Sequence, residues 1–309
     1  STQQETLFPY TTLFRSVRGM VILFSFVSRS SSLRSPRMAQ REIVRSEAIV
    51  LRSLDYGETS QIVTLFTRTK GKVTIMAKGA RRPKSSFGST LQPMAYTQVV
   101  FYYKPTRTLH MLRESSYMAP LHDIRRHLDK IGIGLRIVEL VDALMQDEDP
   151  QPEVFDLALH ALRRLNDAHE RMANVWPFVQ LRLAATLGIA PAIQREQVEA
   201  IGERGQLSLS NGGVYPLAAE PRTPTTASRA ALRAYAIFAR ATLDTVMRMT
   251  LPSAVRREVE TLVEAFMRHQ FQDAYPTRSR DVIAELGTPD ASNGQHRDDP
   301  DPAGGGSGG

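Results

Sequence analysis

Seven positive side chains fall within residues 68–84: Arg68, Lys70, Lys72, Lys78, Arg81, Arg82 and Lys84, with no acid among them. Such a run suits phosphate. Each phosphate neutralised by Lys or Arg releases condensed counterions, so the gain is entropic and sensitive to salt. Lys104 and Arg107 extend the set, and Phe87, Tyr102 and Tyr103 lie beside it as rings on which bases could stack. Base stacking contributes roughly 1–3 kcal/mol per base. The plain alternative is a solvated strand face followed by a charged loop, with the aromatics half in the core.

Other chemistries find little support. His122 and His127, or His160 and His169, lack the i, i+4 spacing of a helical metal site. No Gly-rich phosphate loop precedes a Lys-Ser/Thr pair, and no nucleophile elbow marks a serine. The acids Asp147, Glu148 and Asp149 read as solvated charge between helices. The chain has no cysteine, which excludes disulfides, thiol catalysis and Cys-rich zinc. A non-catalytic chain without a cofactor is expected, and a reducing cytoplasm suits it.

The charge is local. Net charge is +7, but residues 41–118 hold 13 Lys/Arg against 5 Asp/Glu, whereas residues 119–309 hold 21 against 26. An electrostatic footprint on one segment points to a polyanionic partner. No run of 18 apolar residues is present, so no membrane span is expected.

Short β-like runs must position the cations. Residues 47–52, 60–67, 72–78, 98–103 and 108–114 are separated by turn signals at Tyr56-Gly57-Glu58, Lys70-Gly71 and Lys104-Pro105. In the third run Val73, Ile75 and Ala77 share one face, and Lys72, Thr74, Met76 and Lys78 the other. Five short strands with tight turns predict a small antiparallel barrel. Beyond Pro120 the period becomes helical, with helices expected over 131–145, 152–165, 176–187, 228–249 and 253–272. Asn211-Gly212-Gly213 predicts a hairpin over 206–217. The fold class expected is α+β: a barrel over 38–118, then an otherwise helical domain over 119–286 carrying the hairpin.

Residues 1–37 are set aside as a mis-assigned start, with Met38 as initiator, and the polar residues 287–309 are expected to be disordered.

The chain resembles the bacterial recombination-mediator and DNA-repair family RecO. The match runs through residues 47–52 with Tyr56-Gly57-Glu58, then Gly71-Lys72-Val73, residues 77–85 (AKGARRPKS) and Leu91-Gln92-Pro93. It continues more weakly through Glu139-Leu140, Asp149-Pro150, Val154-Phe155 and residues 178–191. The resemblance implies an OB-fold barrel followed by a helical domain. It implies binding of single- and double-stranded DNA, strand annealing, and delivery of RecA recombinase to coated DNA. The implied partners are the RecR mediator and the C-terminal tail of single-stranded-DNA-binding protein. Of the cations, Lys78, Arg81, Arg82 and Lys84 fall on the family's motif. Many family members hold four zinc-binding cysteines in the region of residues 191–217. Here that stretch has none, so apolar packing by Leu207, Leu209, Val214 and Tyr215 would have to replace the metal.

Three rival readings stay open on the residues alone, one of them a pure interaction scaffold, which would survive if replacing Arg81, Arg82 and Lys84 by Glu left DNA affinity unchanged. An RNA-binding barrel of translation or ribosome assembly would use the same cations. A magnesium-dependent nuclease would need an acidic cluster beside them, which the sequence does not show.

Overall fold

A computed structural model describes residues 41–276, except residue 86. The expectations for residues 1–37 and 287–309, and the end of the expected helical domain at 279–286, lie outside the described residues.

Five strands come first: β1 (Glu42–Tyr56), β2 (Ser60–Thr67), β3 (Gly71–Ala77), β4 (Tyr96–Tyr103) and β5 (Leu109–Ala119). They pair in the order β1-β2-β3-β5-β4, and β4 returns to β1, so the ladder closes on itself. One expectation needs correcting: the barrel is mixed, not antiparallel. β3 and β5 run parallel, through three residue pairs only. The reason is parity, because strand direction cannot alternate all the way round a ring of five. One seam must be parallel, and it falls at the shortest pairing.

The alternation expected of β3 is observed, with Val73, Ile75 and Ala77 buried and Lys72, Thr74 and Met76 only partly covered. Together with Val44, Ala48, Val50, Val63, Leu65, Val99, Phe101 and Leu112 they fill the barrel. In β1 the neighbours Ala48, Ile49, Val50 and Leu51 are all buried. Ala48 and Val50 point inward, whereas Ile49 and Leu51 join Phe66, Met94 and Tyr96 in a second core shared with the helices. That double burial is why residues 47–52 read as a continuous apolar run rather than an alternating one.

The helices are α1 (Leu128–Leu144), α2 (Pro152–Asp167), α3 (Val175–Thr186), the short α4 (Arg195–Glu199), α5 (Arg229–Arg240), α6 (Leu243–Met247) and α7 (Ser253–Phe271). The single helix expected over 228–249 is two. Ala241 and Thr242 are extended, and the Thr242 hydroxyl caps a new helix by accepting from the Thr245 backbone N–H. Asn174 ties the bundle: its amide donates to the carbonyls of Val246 and Met249, and its oxygen accepts from Arg256.

The expected hairpin forms as β6 (Arg204–Ser208) and β7 (Val214–Pro216), but a third strand, β8 (Pro224–Ser228), pairs with β6. The insertion is therefore a three-stranded sheet. Of the four side chains expected to pack it, Leu207 and Val214 are buried, while Leu209 and Tyr215 are partly covered. Hydrogen bonds do the rest. Asn211 accepts from the Gly213 N–H and donates to the Tyr215 hydroxyl, and Gln270 of α7 donates to the carbonyls of Leu209 and Ser210. Residues 191–217 contain neither cysteine nor histidine, so they do not fit the zinc site of the resembling family.

Candidate nucleic-acid interface

The loop after β3 is built from consecutive turns. Gly79 takes φ +72, a left-handed conformation that side chains disfavour. The Arg82 N–H then donates to the Gly79 carbonyl (3.1 Å) and the Ser85 N–H to the Arg82 carbonyl (2.9 Å). The Arg81 N–H donates to the Thr59 carbonyl (3.0 Å), which pins the loop against the β1–β2 turn. The result is a bonded scaffold from which Lys78, Arg82 and Lys84 project into solvent.

The structure divides the nine candidate cations. Arg68 is a brace: it pairs with Glu47 (3.1 Å) and Asp156 (2.5 Å) and lies 4.7 Å over the Phe155 ring. The hydrogen bond to Asp156 raises its pKa further. Lys70 pairs with Glu42 and sits over Tyr103. Lys72 is largely covered, donates to the Asp142 carbonyl (2.7 Å), and lies 3.7 and 3.5 Å from the carboxylates of Asp142 and Asp147. Arg81 pairs with Asp55 and donates to the carbonyls of Gly57 and Glu58. All four are engaged by carboxylates of the protein itself. Among the described residues, Lys78, Arg82, Lys84, Lys104 and Arg107 make no ion pair.

The three candidate stacking rings also separate. Phe87 and Tyr103 are buried, at 8% and 9% exposure, and offer no face to a base. Only Tyr102 faces outward, and the Arg41 guanidinium lies on it at 3.4 Å from the ring centre. Arg41 and Tyr102 belong to a groove of about 390 Å³ rimmed by Arg41, Lys104 and Arg107 and floored by Tyr102, Met111 and Met76, with no acid in its lining. Sequence reasoning passed over Arg41. Its signal was its place two residues before Ile43, just ahead of β1, which becomes informative once Ile43 is known to pair with Tyr102.

The inner end of the barrel is closed by the loop between α1 and α2. Gly71, at φ +66, packs its α-carbon against the Asp149 backbone, and the Glu148 N–H donates to the Lys72 carbonyl (2.8 Å). Glu148 itself stands at φ +58. Its carboxylate accepts from the Tyr103 hydroxyl (2.7 Å), and Nε2 of the buried His110 lies 3.2 Å away. The acids expected to be solvated thus include one that latches the barrel to the helices. The bond to Glu148, aided by burial, pushes the Tyr103 hydroxyl from about 10 up to about 12. A raised pKa means that this contact contributes fully below pH 10 and is lost as pH rises through about 12. Tyr103→Phe is therefore expected to cost about 1 kcal/mol at neutral pH and nothing above that window. Phenolate absorbance, followed together with denaturant unfolding across alkaline pH, checks it.

Among the described residues no helix is long and apolar enough to cross a membrane, and no group of three or more His, Cys, Asp and Glu could hold a metal.

Comparison with known proteins agrees with the architecture. The family model "Recombination protein O N terminal" matches residues 38–121, and "Recombination protein O C terminal" matches residues 125–280. A DNA repair protein RecO of Salinibacter ruber is 66% identical over 250 residues, covering 81% of this chain and 96% of that protein. The RecO of Chloroherpeton thalassium is 28% identical over 256 residues, 79% of this chain and 99% of its own length. That of Bacillus subtilis is 34% identical over 152 residues, 49% and 58% respectively. With both halves of its architecture matched in order, the chain belongs to the RecO family of DNA repair proteins.

Proposed function

We propose that the chain is a DNA-binding recombination mediator that anneals complementary strands and helps load a recombinase onto coated single-stranded DNA. The observation that carries this reading is the set of unpaired cations on a rigid support: Lys78, Arg82 and Lys84 on the bonded loop after β3, and Lys104 and Arg107 at the groove. Two strands approach each other against phosphate repulsion. Cations held in place offset it without ordering a flexible tail. Family membership favours DNA over the RNA-binding alternative. In this reading residues 38–118 engage DNA, and the acid-leaning helical domain over 119–286 docks protein partners: the RecR mediator and the tail of single-stranded-DNA-binding protein, with RecA recombinase reached indirectly. Arg68, Lys70, Lys72 and Arg81 support the fold and reach DNA only through it.

The test is a fluorescence annealing assay on strands coated with single-stranded-DNA-binding protein. The triple variant Lys78→Glu/Arg82→Glu/Lys84→Glu is expected to lose roughly 10- to 100-fold in DNA affinity and to anneal correspondingly more slowly. Its salt dependence should flatten by about two to three units of log K per log salt, the share of three phosphates. Annealing at the wild-type rate would overturn the reading.

A further inference from the structure

One row of side chains crosses every strand of the barrel on its outer surface. In register, Ile43 pairs with Tyr102, Tyr102 with Met111, Met111 with Met76, Met76 with Ile62, and Ile62 with Leu54. All six are apolar or aromatic. None is in the barrel interior, because the residues flanking them in each strand are the buried ones wherever the alternation is regular. Ile43 and Leu54 are 55% and 52% exposed.

Elsewhere on the outer surface Ile49, Leu51, Phe66 and Tyr96, together with Met94 just before β4, are buried in the core shared with the helices. In the row itself Ile43 and Leu54 are exposed, and Ile62, Met76, Tyr102 and Met111 are half-buried. A contiguous apolar band left partly open to solvent marks a binding surface rather than a solvated one. Its charge setting identifies the occupant. One end is the groove, where Tyr102, Met111 and Met76 form the floor beneath Arg41, Lys104 and Arg107. The other end, at Ile62 and Leu54, adjoins the β1–β2 turn to which the Lys78–Lys84 loop is pinned through Arg81. Cations at both ends and an apolar floor between them match a strand whose phosphates and unpaired bases are both available. A duplex offers phosphates and hides its base faces. A protein partner would have to bring acids to both ends of an apolar ridge.

Resting on the DNA-binding reading above, we infer that this row is the track on which the bases of a single strand lie. Four interstrand steps separate Tyr102 from Leu54 along the row, about 19 Å at the usual strand spacing, which suits the low end of the roughly 4–16 nucleotides that an OB fold holds. The Arg41 guanidinium on Tyr102 adds a flat, cationic stacking face at the groove end. Thioether and aliphatic groups contact a base through its face and leave its pairing edge unread. A base held that way stays free to meet its complement.

The test uses the full chain and three fluorescent probes of equal length: oligothymidylate, an abasic phosphodiester strand, and a duplex. Wild type is expected to bind oligothymidylate about tenfold more tightly than the abasic strand, the contribution of one or two stacked bases. Met76→Ser/Met111→Ser should erase that preference while leaving abasic and duplex affinity, and the salt slope, within about twofold. Ile43→Ser/Leu54→Ser, at positions more than half exposed, should act in the same direction and serves as the second variant if the methionine pair fails to fold. Wild type that binds the abasic strand as tightly as oligothymidylate overturns the track, as does a folded variant that keeps the preference or loses duplex affinity equally. Failure of the DNA-binding reading looks different: wild type would then bind none of the three.

Discussion

Gly71→Ala is expected to cost more than about 4 kcal/mol and to leave the barrel detached from the helices under conditions where wild type is fully folded. Two independent penalties meet at this position. The backbone stands at φ +66, where a β-carbon is strained, and the added carbon would fall on the N, C and O atoms of Asp149. A flexible side chain could move aside, but a peptide cannot, least of all one whose neighbour Glu148 is held by Lys72, Tyr103 and His110. Urea unfolding followed by Trp176 fluorescence, which reports the helical core, and by far-ultraviolet circular dichroism should show the midpoint collapse. Divergence of the two curves is the sign that the junction has failed before the domains. A midpoint within experimental scatter of wild type would contradict the packing described.

The second large effect is at Phe155. Its ring is fully buried between Phe66 (6.1 Å between centres) and Tyr96 (6.5 Å) of the barrel, with the Arg68 guanidinium over it. Phe155→Ala removes a side chain of α2 from a site where both the barrel and the bundle are already packed, so collapse around the gap is restricted. A loss of about 3–5 kcal/mol follows. Since Arg68 would lose its apolar support, its pairs with Glu47 and Asp156 would loosen as well, and these are exposed enough to contribute little alone. Calorimetry should show a lower Tm, while DNA affinity per folded molecule stays near wild type, because none of the unpaired cations touches this junction. Weakened DNA binding at full foldedness would assign Arg68 a direct role after all.

The basic loop, the five strands and most helices were legible because each is written locally: turn residues between β-branched runs, then a change of period. The fate of each cation was not. Arg68 meets Asp156 across 88 residues and Lys72 meets the Asp142 carbonyl across 70, so nothing near either position distinguishes a brace from a phosphate ligand. The aromatics failed for a related reason: Tyr102 and Tyr103 are neighbours on opposite faces of β4, and which face is interior depends on register. Register also hid the apolar row, since Met76 could be placed on the outer face of β3 from alternation alone, but its alignment with Met111 and Tyr102 needed the pairing of β3, β5 and β4. The strand β8, Pro224–Ser228, carries almost no apolar signal because it pairs on one side only, with β6.

The parallel seam between β3 and β5 has a mechanical meaning. Of its three residue pairs, one is Met76 with Met111, so the weakest joint in the ring runs through the floor of the groove. A barrel under lateral load parts where the fewest rungs resist. The long β1–β2 and β4–β5 ladders carry more pairs and would hold longer. The compliance that an odd ring must place somewhere is thus placed along the two methionines of the groove.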